Sequence, residues 1–372
     1  MDRVAPIFPV KPTVVEVAIA AHVAVGTVSR VLNTPEVVGP EIRQRVLDAI
    51  AHVNYTPLRR RRRGGLLQTG STLRRRGNFG LLLVGMDDSL SQLPVVSESL
   101  HGVELAMAAE GMNLMLANVP RADRVPAFLA KNLIDGLVVK SPLLGDLRAC
   151  ASPSLVAAIN RLPHVWLLGK PDSGEGDVCG FDFDSGAQIA AEYLHARGHR
   201  RIAYLDPRPG QTRSEGLKRA VTLQAQRLGL HVRHLEKLLS FPVKWPLSAI
   251  TQPTEIFPLL ERWENLPVAH RPTALVVSAD SIAVQLYHAL QQKGRVVGRD
   301  ISVLSFNHEK NLVAGLNPPL TTLDVRAEAI GRRAVQQLLW RVRTKDDTVA
   351  TKILVEPRLV EGGSVAAIKP VN

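Results

Sequence analysis

The sequence predicts an α/β body of two doubly wound, parallel-sheet lobes preceded by a small all-α head, and three observations carry that prediction. Near the start, "VVEVAIAAHVAVGTVSRVLN" and "VVGPEIRQRVLDAIAHV" hold short apolar stripes at helical spacing. From Phe79 onward, apolar strands alternate with helical patterns, the signature of βαβ units. Between them, Leu58 to Asn78 is rich in Arg, Gly, Ser, Thr and Leu with no stable apolar period, the composition of a linker or a conditional helix. A chain of 372 residues has room for two or three such units.

In the head, Val14, Val17, Ala18 and Ala21 fall at i, i+3, i+4 and i+7, and Val28, Val31 and Leu32 form a second stripe. Ala21 to Val23 leaves room only for a tight turn, so the pair reads as a helix-turn-helix. The third helix is announced by Gly39 as cap, Pro40 at the first helical position and Glu41 at the positive end; Ile42, Val46, Ile50 and Val53 share its face, and Pro57 stops it. In the body, "FGLLLVG", "NLMLANV", "IDGLVVK", "HVWLLG", "RRIAYLD", "TALVVSAD" and "ISVLSF" read as strands, with helices between them such as "AQIAAEYLHARG" and "SIAVQLYHALQQKG". Two sheets of this kind imply a ligand cleft between them.

With 45% hydrophobic and 22% charged residues, the chain has an ordinary globular balance. Its net charge of +12 is uneven: Met1 to Asn78 holds 13 Lys/Arg against 5 Asp/Glu, so +8 lies there and +4 in the rest. A basic front on a nearly neutral body predicts a polyanion partner at one end. Cys150 and Cys179 form no CxxC pair, which fits a reducing compartment, and both read as small buried hydrophobes. No run approaches a membrane span, and "MDRVAPIFPVKPT" lacks the apolar core of a signal peptide, so a soluble, cytoplasmic protein without membrane attachment is expected. The absence of GxxxxGK[ST], HExxH, GxSxG and a GxGxxG after the first strand argues against an enzyme. His195 and His199 have the i, i+4 spacing of a metal site, but Gly198 interrupts the helix between them; neither metal nor cofactor is expected.

At "TVSRVLN", Thr27 to Asn33, followed by "RQRVLDAI" and "NYTP", the sequence resembles the lac repressor family of transcription regulators. Landmarks of that family continue in order through "GVELAMAAEG", "AAEYLHARGHRRIAYL", "PPLTTL" and "EPRLVEGGS". The resemblance implies a helix-turn-helix headpiece (1–57), a hinge (58–78) and an effector core like the periplasmic sugar-binding proteins. Lobe one would comprise 79–181 plus 322–349, lobe two 182–321 plus 350–364, with 365–372 a tail. It further implies a homodimer on a near-palindromic operator, since two-fold protein symmetry matches two half-sites.

The recognition helix would present Val25, Gly26 and Arg30 to base edges, with the Arg30 fork suited to guanine; Thr27, Ser29 and Asn33 complete its DNA-facing set, Thr27 and Ser29 suiting phosphates. Three positions depart from the family pattern: Ala24 replaces a capping serine, His22 a turn glycine, and Gly26 offers no base-reading side chain. In the hinge, Arg59, Arg60, Arg61, Arg62 and Arg63 can track phosphates or enter a narrow minor groove, while the family's wedge leucine falls near Gly64.

For the effector, the resemblance implies Arg213, in "TRSEG", and the strand-tip residues Asp280 and Asn307; Asp88, Gln92 and Trp166 are further candidates. Asn307 stands where aspartate is commoner, and "HVWLLGK" ends without a carboxylate, so the pocket is less typical of sugars. The reading is a ligand-responsive, sequence-specific repressor controlled by a small sugar or related metabolite. The alternative is a small-molecule-binding protein whose DNA binding is weakened or non-specific.

Overall fold

The computed structural model describes residues 13–33, 35–53, 55, 77–238, 241–344 and 346–368. The chain divides into two compact units, Met1–Leu73 and Arg74–Asn372. In the first, α1 (Val14–Ala20) and α2 (Val25–Asn33) meet at 105°, the angle of a helix-turn-helix, and α3 (Pro40–His52) closes the bundle. Val17, Ala18, Ala21, Val28, Val31, Val38, Val46 and Ala49 form its core. Ile42 is more exposed than its spacing predicts, because Val38, just before the helix, and Ala49 fill the inner face that Ile42 was expected to share. His22 holds the turn in the left-handed region at φ +50°, where glycine costs least.

The second unit opens with β1 (Asn78–Val84), α4 (Asp88–Ser91), α5 (Pro94–Ala109), β2 (Asn113–Val119), α6 (Ala127–Ala130), β3 (Gly136–Lys140), α7 (Leu147–Cys150), α8 (Pro153–Asn160), β4 (His164–Leu167) and β5 (Asp177–Phe181). The chain then runs through α9 (Phe183–Ala196), β6 (Arg201–Asp206), α10 (Thr212–Arg227), β7 (His231–Glu236), α11 (Phe257–Glu264), β8 (Ala274–Val276), α12 (Asp280–Gln292), β9 (Ser302–Asn307), α13 (Lys310–Val313) and β10 (Thr321–Asp324). It closes with α14 (Ala327–Arg343), β11 (Lys352–Val355) and β12 (Arg358–Val360).

Two six-stranded sheets result, ordered β2-β1-β3-β4-β5-β11 and β7-β6-β8-β9-β10-β12. Every pairing is parallel except that of β12 with β10. Central strands such as "LLLV" and "GLVV" are apolar throughout because helices cover both faces. The edge strand β7 alternates with charge, "HVRHLE", because one face meets water.

Two expected boundaries are corrected. Thr322 does not return the chain to lobe one: β10 pairs with β9 in the second sheet, and α14 makes the return, packing against α5, β3, β4 and β5. The segment 350–364 does not belong wholly to lobe two, for β11 pairs with β5 in the first sheet and only β12 joins the second. Short strands separated by a few residues can be distributed between neighbouring sheets, and their apolar pattern is the same in either. The α5–α14 crossing is set by glycine: a Cβ on Gly102 would meet the Glu328 carbonyl oxygen at 2.1 Å, and one on Gly331 the Ser99 carbonyl oxygen at 2.0 Å. Among the described residues, no single helix is long and apolar enough to cross a membrane.

Candidate functional site

Two surfaces carry chemistry, one in each unit. In the head, the first turn of α2 is solvent-facing: Val25, Gly26, Ser29 and Arg30 are exposed, Thr27 is half-buried, and Asn33 ends the helix. Val28 and Val31 point the other way into the core, so helical periodicity alone separates the buried from the exposed face. At the start of α2, Thr27 N and Val28 N donate to the Ala24 carbonyl at 2.8 and 3.3 Å, and the alanine methyl itself cannot accept a bond. Open space surrounds Gly26. The expected phosphate-tracking residues Arg59 to Arg63 lie outside the described residues.

In the core unit, the carboxyl ends of both sheets open onto one cleft of about 920 Å³, part of it open to solvent. This is where doubly wound sheets bind ligands: strand order reverses at β1/β3 and at β6/β8, splaying the connections apart. Met86 follows β1, Lys140 ends β3, Asp206 ends β6 and Asn307 ends β9, and all four line the cleft. The connection between β7 and α11 forms a further wall. Leu247 exchanges backbone bonds with the strand-end loop of lobe one (Leu247 N to Gly85 O 2.9 Å, Asp87 N to Leu247 O 3.0 Å), and the Trp245 indole donates to Leu144 O at 2.9 Å.

Arg213 stands in the first turn of α10 and reaches across to β8 and β9, donating to the Ser278 carbonyl at 3.2 Å and to the Asn307 amide oxygen. Its guanidinium carbon lies 5.1 Å over the Phe181 ring. Burial lowers its pKa, and its Nε is buried without a partner among the described residues. Asp206 accepts from Arg208 N at 2.8 Å and from the Ser214 hydroxyl, and burial pushes its carboxyl up. Arg208 is balanced by Glu255 at 3.2 Å.

Arg213 and Asn307 therefore meet in the cleft as expected positions, and the other four do not. Asp280 is fully buried: it accepts from Glu309 N at 2.7 Å, Thr322 Oγ1 at 2.8 Å and the Ser305 hydroxyl, tying α12 to β9 and β10 rather than lining the cleft. Trp166 is fully buried in the core of lobe one, its indole donating to Glu175 O at 2.6 Å, because alternate side chains of a strand face opposite sides of the sheet. Asp88 and Gln92 are exposed at the ends of α4, whose Leu90 turns to the cleft instead.

Lys140 is the residue sequence reasoning missed. It is 7% exposed, donates to the Ser141 carbonyl, and is pushed down to about 7 by burial and then by the charge of Arg213. The available signal was a lone charge closing an otherwise apolar strand, "GLVVK". His199 is buried, bonded to Thr273 Oγ1 at 2.8 Å and held down to about 4 by burial, a structural histidine. The carboxylates of Asp206, Glu215 and Glu236 cluster, but Lys218 Nζ sits 2.7 Å from Glu215 and 2.5 Å from Glu236, so an ammonium already neutralises the group.

Comparison with known proteins places these surfaces in context. Residues 13–57 match the bacterial regulatory proteins of the lacI family, and residues 191–365 match the periplasmic binding protein-like domain. The chain is 28% identical to the HTH-type transcriptional repressor PurR of Aliivibrio fischeri (strain MJ11) over 90% of its own length and 93% of the relative's. It is 28% identical to the ribose operon repressor of Escherichia coli (strain K12) over 95% and 99%. Among solved structures, the lac repressor bound to ONPG in its repressed state superposes with a TM-score of 0.63 at 22% identity, covering 95% of this chain and 100% of that one. The regulator CelR in complex with cellobiose gives 0.61 at 22% identity, covering 95% and 100%.

Proposed function

Because the chain belongs to the lacI family of bacterial regulatory proteins, with a DNA-binding helix-turn-helix and a ligand-binding core, we propose that it represses transcription as a homodimer on a near-palindromic operator in the cytoplasm. The single observation that carries this reading is the pairing of an exposed recognition-helix face with a two-lobed cleft whose walls come from both sheets. Arg30 reads a base edge, Thr27 and Ser29 position the helix on phosphates, and Asn33 completes the contact set. Arg59 to Arg63 add affinity through phosphate neutralisation. In the cleft, Arg213 and Asn307 contact a small metabolite. A ligand bound more tightly by one degree of lobe closure shifts that equilibrium, and operator affinity shifts by the same differential binding free energy.

The test is selection of genomic DNA fragments by the purified full-length protein, with and without a panel of sugars and related metabolites. A discrete palindrome whose recovery changes with one ligand is expected. Uniform recovery of unrelated DNA at every ligand would instead favour a binding protein with non-specific DNA affinity, since His22, Ala24 and Gly26 all weaken the expected recognition pattern. Arg30→Ala should lower specific binding far more than non-specific binding, and equal losses in a gel-shift titration would remove its role as a base reader. Arg213→Ala should abolish the ligand response while leaving operator binding intact.

A further inference from the structure

We propose that the effector of this cleft is an anion, a small metabolite whose carboxylate or phosphate neutralises Lys140 and Arg213. The inference rests on the regulator reading above and names the ligand class of the same site. Its basis is a charge imbalance built into the walls. Four charged residues line the cleft: Lys140, Arg208, Arg213 and Asp206. Arg208 is balanced by Glu255, which leaves Lys140 and Arg213 facing the cleft with Asp206, whose charged form burial disfavours; the buried Glu309 and Asp280, outside the lining, offset part of the Arg213 charge. Among the described residues, no carboxylate lies within 4.0 Å of Lys140 or Arg213.

An ammonium taken out of water with only a carbonyl for company is costly, and an arginine fork with a buried unused N–H adds to that cost. Both groups lie where a ligand would complete them, at the carboxyl end of β3 and the first turn of α10. The backbone points the same way. The first turns of α10 and α12 face the cleft through Ser214 and Ser281, and neither helix has a side-chain cap on its leading N–H groups. Helix N-termini favour negative charge, and the carboxylates of Glu215 and Asp280 in these first turns already take up part of that preference. A neutral polyol would leave the imbalance in place, and it would find few acceptors, since Asn307 offers an amide where a carboxylate would bind hydroxyls well. Burial and the Arg213 charge hold Lys140 down to about 7, so an anion that restores its proton should draw that proton from solution.

The experiment is calorimetric titration of the full-length protein at pH 8 with inorganic phosphate, D-gluconate, D-glucose 6-phosphate and D-glucose. The expected result is binding of at least one anion tenfold or more tighter than D-glucose. Repeating the titration in buffers of different ionisation enthalpy should reveal uptake of close to one proton. Lys140→Met should weaken the anion at least tenfold and abolish the uptake. Gluconate and the sugar phosphate distinguish the two sources of negative charge. Binding of D-glucose as tight as the anions, binding of none of the anions, or equal anion affinity in Lys140→Met would each overturn the inference. A discrete operator together with a response to neutral ligand only would sink the anion alone. The absence of any discrete operator would sink the regulator reading whatever the cleft binds.

Discussion

Replacing Lys140 by methionine should make the ligand-free protein more stable, an unusual outcome for a change in a buried site. Methionine keeps the length and apolar stem of the side chain and removes its charge. Lys140 falls from the ordinary 10.5 to about 7, and at about 1.36 kcal/mol for each tenfold loss of proton affinity this sets an upper limit of about 5 kcal/mol on the cost of keeping its charge in the folded state. The sign follows from linkage: the unfolded chain holds this proton more tightly than the folded one, so the cost is complete below pH 7 and vanishes as pH rises toward 10.5. At pH 7.5 the cost is about 4 kcal/mol, from which loss of the bond to the Ser141 carbonyl takes about 1 kcal/mol, leaving a net gain of about 3 kcal/mol. Between pH 7.5 and 9.5 the advantage of the variant should shrink by about 2.5 kcal/mol. Glu309, pushed up to about 7 by burial and the nearby Asp280, has largely titrated below this window, and Cys179, pushed up to about 12 by burial, is common to both proteins and cancels in the difference. Urea unfolding of both proteins across the window provides the measurement. A variant no more stable than wild type at pH 7.5, or a gap that does not change with pH, would refute the reasoning, because either result means that folding does not weaken the hold of Lys140 on its proton.

Two further outcomes test other levels of the structure. Gly331→Ala should destabilise the core unit by at least about 3 kcal/mol in urea unfolding, since its Cβ would lie 2.0 Å from the Ser99 carbonyl oxygen and two helices would have to separate; a loss under 1 kcal/mol would mean that the α5–α14 crossing is not close-packed there. Ala24→Ser should stabilise the head by about 1 kcal/mol, because a hydroxyl at the start of α2 can accept from a leading N–H that the methyl leaves unmet. Hydrogen exchange at the amides of α2 in the full-length protein reads this directly, and unchanged protection would show that the backbone bonds to Ala24 already suffice.

Much of this protein was legible in its sequence, because the information was local. Helical periodicity in Val14 to Ala21 and Val28 to Leu32 depends on neighbours a turn away, and it predicted both the inner face of the head and, by subtraction, its exposed face. The apolar strands of the body were visible for the same reason, whereas Arg213 was implied only by the family resemblance of "TRSEG". What tertiary structure decided was non-local. The sheet that each of β10, β11 and β12 joins depends on which edges lie within reach, and their sequences carry no mark of that. Asp206 and Lys140 end strands and Asp280 opens the helix after one, yet Asp280 is consumed by three donors around β9 and β10 while the other two line the cleft. Trp166 was drawn to the site by residue type and placed in the core by strand parity. Whether a strand-end charge binds a ligand or a neighbour depends on the dielectric around it and on where its counter-charges fall, and both are properties of chain segments brought together only by folding.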